Sequence, residues 1–172
     1  MAKTAGQKLK LLTLARLLWE NTDEDHGLSV QEMIDSLEAN GIAAERKSIY
    51  DDLESLRTFG LDIECHKSKK WDYYIASRTF QTPELKLLVD AVQSSRFITL
   101  RKSNELIKKL ESLTSRQEAS ALQRQVYVAD RIKTMNESIY YNVDTLHAAI
   151  AQNRQVTFHY FSWTSAKKKQ LG

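Results

Sequence analysis

The tetrad Ser29-Val30-Gln31-Glu32 constrains this chain more than any other stretch. A serine followed three residues later by a glutamate lets each side chain accept a hydrogen bond from the other's backbone N–H at a helix start, and Leu28 and Met33 occupy the hydrophobic-staple positions on either side. The tetrad predicts a helix opening at Ser29, with Val30, Met33, Ile34 and Leu37 as its buried stripe and Asn40-Gly41 as its stop. Upstream, Leu11, Leu12, Ala15, Leu18 and Trp19 recur at helical spacing and predict a helix from about Gln7 to Trp19 with these residues inward. Downstream, a few residues of turn lead to a third helix over about Ala44 to Phe59, with Ile49, Leu53 and Leu56 inward. Gly60 suits the left-handed position after it, with Leu61 touching Leu56 as in a Schellman stop.

Two short alternating segments follow, Leu61 to His66 and Trp71 to Ala76, joined by Lys67-Ser68-Lys69-Lys70 into a hairpin with a basic tip. Thr82-Pro83-Glu84 reads as N-cap, first-turn proline and early acid of a helix reaching about Ser95, with Leu85, Leu88, Val89 and Val92 on its apolar face. A second amphipathic helix spans about Thr99 to Thr114 through Leu106, Ile107, Leu110 and Leu113, and a third about Ser138 to Asn153 through Ile139, Val143, Leu146 and Ile150. The stretch Ser115 to Glu137 has no clear period. Gln155 to Trp163 alternates as a half-buried strand with no partner in sight, and Thr164 to Gly172 reads as a polar, lysine-rich tail. The fold class is therefore mainly α with a small β component: a winged helix-turn-helix over residues 1–80, a helical linker over 81–137, and the first strand of an incomplete β-domain over 138–172.

Composition narrows the function. No run approaches the ~20 apolar residues of a membrane span and no signal-peptide pattern opens the chain, so the expectation is a cytoplasmic protein with no membrane partner. Cys65 is the single cysteine and is expected to be a small buried hydrophobe. The four histidines, His26, His66, His147 and His159, have no ligand-like spacing, and five glycines include no phosphate-cradling loop. Neither an enzyme nor a cofactor is expected. The net charge of +3 is unevenly spread: residues 1–80 carry 11 basic against 14 acidic side chains, residues 81–172 carry 14 against 8. A DNA-binding role for the first part must therefore come from a local basic cluster.

The helix–turn–helix–hairpin order supplies one. In such an arrangement the N-terminal turn of the second helix of the pair enters the major groove. With Ile49, Leu53 and Leu56 inward, a wheel turns Lys47, Tyr50, Asp51 and Glu54 outward with Arg46 and Ser48 on the flanks. Arg46, Lys47, Ser48 and Tyr50 are the candidates for groove contact, since Arg and Lys donate to guanine and Ser or Tyr to bases or phosphate. Ser29 lies where a helix N-terminus presents N–H groups to a phosphate, and Lys67, Lys69 and Lys70 are placed to follow the DNA backbone. Taken singly, a lysine-bearing turn is more often a solvated loop and Ser29 is first a helix cap. Trp71, Tyr73 and Tyr74 could stack on bases, but Tyr73 and Tyr74 point to opposite faces of a strand.

These residues also resemble a family. Glu45-Arg46-Lys47-Ser48-Ile49-Tyr50-Asp51-Asp52-Leu53-Glu54-Ser55-Leu56 with Phe59-Gly60-Leu61-Asp62-Ile63 is similar to the recognition helix of WYL-domain transcriptional regulators. Tyr73-Tyr74-Ile75, Arg78-Thr79-Phe80, Glu84 to Val92 and Arg96-Phe97-Ile98-Thr99 resemble their wing and linker helices, and Ala149-Ile150 with Val156 to Tyr160 resembles the entry to the WYL domain. The resemblance implies a sequence-specific transcriptional regulator acting on a double-stranded DNA operator as a homodimer. It also implies a truncated WYL domain, so that an effector, nucleotide or nucleic acid, would be sensed only in a full-length form. Two departures stand out: the WYL motif itself is not in this sequence, and Ala43 stands where similar proteins tend to have a capping residue, which predicts that Ala43→Ser raises the melting temperature. The rival reading is a protein-interaction module built on a winged helix that no longer binds DNA, which the acid-rich first part favours.

Overall fold

In the computed structural model, residues 3–67, 70–125, 133–136, 138–158, 161–163 and 169–171 are described. The order is α1 (Lys3–Asn21), β1 (Leu28–Ser29), α2 (Val30–Ala39), α3 (Arg46–Phe59), β2 (Ile63–Lys67), β3 (Trp71–Ile75), α4 (Thr82–Ser94), α5 (Leu100–Glu111), α6 (Arg116–Gln125), α7 (Ser138–Ala151), β4 (Phe161–Trp163) and β5 (Lys169–Leu171). The chain is mainly helical with a small antiparallel sheet, ordered β1-β3-β2.

The capping box at α2 is formed in full, Ser29 accepting from the Glu32 amide and Glu32 accepting from the Ser29 amide. The stripe Val30, Met33, Ile34 and Leu37 is buried against Ile49, Leu53 and Leu56 of α3 and Leu14 and Leu18 of α1, with Ile63 and Ile75 closing the core from the hairpin. Gly60 takes φ +111°, and the Leu61 amide donates to the Leu56 carbonyl at 3.0 Å, which is the anticipated Schellman stop. The hairpin pairs Ile63 with Ile75 through Lys67 with Trp71.

Several expectations are corrected. The buried face of α1 runs through Lys10, Leu14 and Leu18, while Leu12 is 69% exposed. Leu18 is buried and Leu11, Ala15 and Trp19 pack against the core as expected, but the deepest line of the helix is turned toward Lys10 and Leu14, because a lysine stands on the core stripe and hides its period. α3 begins at Arg46 with Glu45 as its N-cap, so Ala43 is not the cap, and Glu45 makes no side-chain capping hydrogen bond. Helix α4 opens one residue early, with Gln81 as N-cap rather than Thr82, and the Gln81 amide donates to Glu84 at 2.9 Å. Cys65 is exposed: along β2 only Ile63 is buried, and it is Tyr73, opposite Cys65 on β3, that packs against the core. Strand β1 was not foreseen. It is two residues long, and Gly27 brings it so close to β3 that a Cβ there would lie 2.8 Å from Asp72 Cβ.

Beyond residue 80, α4, α5 and α6 pack together around Leu85, Val89, Ile107 and Leu122, and α6 also reaches back to α1. α6 falls in the stretch where no period was legible. α7 occupies the anticipated position, and Tyr141, Val143, Leu146 and Ile150 on it are exposed. Residues 155–158 form no strand and Phe158 is exposed. The strand instead comprises Phe161–Trp163 and does have a partner, the antiparallel β5, inside the segment read as a polar tail.

Candidate nucleic-acid interface

The first turn of α3 presents two exposed cations at a helix start. Arg46 and Lys47 are exposed, as is Tyr50 one turn on, and Arg46 Nε approaches the Tyr50 hydroxyl at 3.5 Å, the outer limit of a hydrogen bond. Tyr73 of β3 stands near both; its burial, and then the neighbouring Tyr50 hydroxyl, raise its hydroxyl above the ordinary value. With no capping side chain, the first amides of α3 keep the partial positive charge of a helix N-terminus. A flat run of donors beside two cations can meet phosphate or base edges. Asp51 and Glu54 are exposed further along the helix, Glu54 partly offset by Arg57 at 3.4 Å.

Ser48 belongs to the same turn but has a different role. It is half-buried, and its hydroxyl accepts from the ammonium of Lys10 on α1, which also pairs with Asp52 at 2.7 Å. Its polar atom is turned to α1 and not to the open face of the helix. Lys10 was not among the sequence candidates, and the one available signal was its spacing of four and eight residues from Leu14 and Leu18.

Ser29 and Lys70, 41 residues apart in sequence, are brought together because β1 pairs with the start of β3. Lys70 Nζ lies 3.5 Å from the Ser29 hydroxyl and 3.1 Å from Glu32. The Glu32 carboxylate also takes the Ser29 amide at 2.8 Å and hydroxyl at 2.5 Å. These bonds, Ser29 first and Lys70 after, hold the Glu32 carboxyl down at about 2. The anion-binding end of α2 thus holds an anion of its own, and Ser29, 5% exposed, serves as the cap. At the same tip of the hairpin Lys67 Nζ stands 5.9 Å over the ring of Trp71, which is 54% exposed. Lys69 and Ser68 lie outside the described residues. Tyr74 faces His66 and donates to Glu64 at 3.3 Å, away from Tyr73.

The interface is braced from behind. Arg78 lies 4.6 Å over the Trp19 ring and donates to the Trp19 and Thr22 carbonyls at 2.7 Å, closing the end of α1. Asp23 accepts from Ser115 at the start of α6 and pairs with His26 at 2.7 Å. Burial pushes the Asp23 carboxyl up, but the Ser115 and His26 hydrogen bonds outweigh it and leave it below the ordinary value. A cleft of about 530 Å³ opens beside this joint, lined in part by Asp23, Arg78, Phe80 and Glu118.

No helix among the described residues is long and apolar enough to cross a membrane. No curated protein and no solved structure matches the chain. Residues 16–68, the stretch from the second half of α1 through β2, match the family model of the FokI D3 domain, which indicates a winged-helix-like DNA-binding domain.

Proposed function

We propose that this chain is a sequence-specific DNA-binding transcriptional regulator, similar to the WYL-domain regulators, that binds double-stranded operator DNA as a homodimer. The observation that carries the reading is the open first turn of α3, with Arg46, Lys47 and Tyr50 exposed on a helix end that no side chain caps. In this reading the turn enters the major groove, Arg46 and Lys47 donate to base edges or flanking phosphates, and Tyr50 supplies a hydroxyl or a ring. The Lys67–Trp71 pair follows the adjacent backbone, and Lys69 is proposed as a further phosphate contact. Lys70 joins them by exchanging Glu32 for phosphate.

Selection of duplexes from a random-sequence pool, followed by fluorescence anisotropy at several salt concentrations, tests this. The expected result is an enriched sequence whose affinity falls steeply with salt, with a log–log slope near −0.9 per phosphate contact. Lys47→Ala and Tyr50→Ala should abolish the sequence preference. No enrichment, or binding indifferent to both substitutions, would turn the reading to a protein-interaction module.

A further inference from the structure

We propose that Lys10 is a positioning residue for α3: by gripping Asp52 and Ser48 from α1, it fixes the rotation of α3 about its axis and so the direction in which Lys47 and Tyr50 leave the surface. The inference rests on the reading of α3 as the DNA-contacting helix.

Lys10 is 6% exposed and sits one turn before Leu14 on the stripe that buries α1. A buried ammonium costs desolvation unless it is paired and hydrogen-bonded, and here it has both an anion and a hydroxyl. Ser48 and Asp52 are four residues apart, so they stack on one face of α3 and offer the ammonium two points one turn apart along the axis. Both points lie off the axis on one face, so a roll of α3 carries both away from the Lys10 ammonium at once.

Leu14 and Leu18 of α1 share one buried apolar cluster with Ile49 and Leu53 of α3. Apolar burial has no direction and tolerates a helix rolling in its seat, whereas the Lys10–Ser48 hydrogen bond weakens with angle and the Lys10–Asp52 ion pair with separation. A roll of about 20° moves atoms at the helix rim, ~6 Å from the axis, by about 2 Å. That exceeds the ~0.5 Å within which a binding constellation must be held. Lys10 is too buried to meet phosphate itself, which separates its role from that of Lys47.

The test uses the full chain as wild type, Lys10→Met, and Lys10→Met/Asp52→Asn. The double variant leaves no unpaired acid behind, so it keeps the inference falsifiable if the single one fails to fold. Amide shifts of residues 46–50 and of α2 are measured first, without DNA. The expected result is displaced resonances at 46–50 and unmoved ones in α2. Affinity is then compared for the selected duplex and a scrambled one. The ratio between them should fall about tenfold, the discrimination of one base contact, with the salt slope unchanged. Wild-type amides at 46–50, or an unchanged ratio despite displaced amides, overturn the inference. A wild type that does not distinguish the duplexes overturns the DNA reading instead, and the amide shifts alone then decide whether Lys10 sets α3.

Discussion

Glu32 carries three duties with one carboxylate: it completes the cap of α2, holds Lys70 of the wing, and fills the place an outside anion would take. Its folded value of about 2 lies below the ordinary 4.5, so the charged form is what the fold stabilises. That contribution is present above pH 4.5 and is lost as pH falls toward 2. Thermal melts across this window should show an acid limb that is shallower in Glu32→Gln; parallel limbs would separate the cap from the acid response. Gly27 gives a second test at this scale. Gly27→Ala places a methyl against the β3 backbone at Asp72 and should cost about 1–3 kcal/mol, read as a lower denaturant midpoint with unchanged slope. Residue types with a strong local rule, such as Ser29, Glu32 and Gly60, were legible in the sequence. Lys10 and Ser48 were not, because a lysine in a core position and a serine serving another helix depend on a partner 38 residues away.

Among the elements, α2 and α3 were read almost residue for residue, since their stripes are apolar throughout and their stops are chemically marked. α1 was placed but misrotated, and α6 and β5 were missed. α6 has only three apolar side chains, Ala119, Ala121 and Leu122, and Leu122 is the one deeply buried. The start of α3 was misplaced by the search for a cap. Its N-cap, Glu45, is a poor one with no side-chain bond, so Glu45→Ser should add about 1 kcal/mol and raise the melting temperature by about 2–4 °C. Ala43→Ser should leave it unchanged. Equal effects at both positions would mean that the helix begins earlier than Arg46.

For the whole molecule, the question is how the N-terminal unit and the α4–α6 group are joined. The joint is polar: Ser115 to the buried Asp23, Arg116 to Glu20 at 2.6 Å, and Arg78 to the end of α1. The Arg116 pair is largely solvated and contributes little, whereas the Ser115–Asp23 hydrogen bond joins two buried side chains. Ser115→Ala should therefore cost about 1–3 kcal/mol and speed hydrogen exchange in α6 ahead of α2 and α3. Uniform acceleration across all of them would show instead that the two parts unfold as one. The overall class, helix-rich with a small sheet, was readable from periodicity; this joint was not, since no local pattern records which polar groups meet across ninety residues.

Arg78 lies outside the matched segment and after the last strand of the wing, yet it supplies the donors for two carbonyls at the end of the first helix and a cover for Trp19. The N-terminal unit is in this sense a loop closed by a clasp. A fragment cut after Ser77 loses the clasp, and one cut after Phe80 retains it. The end of the N-terminal unit is therefore defined not by where its secondary structure ends but by a single guanidinium three residues further on.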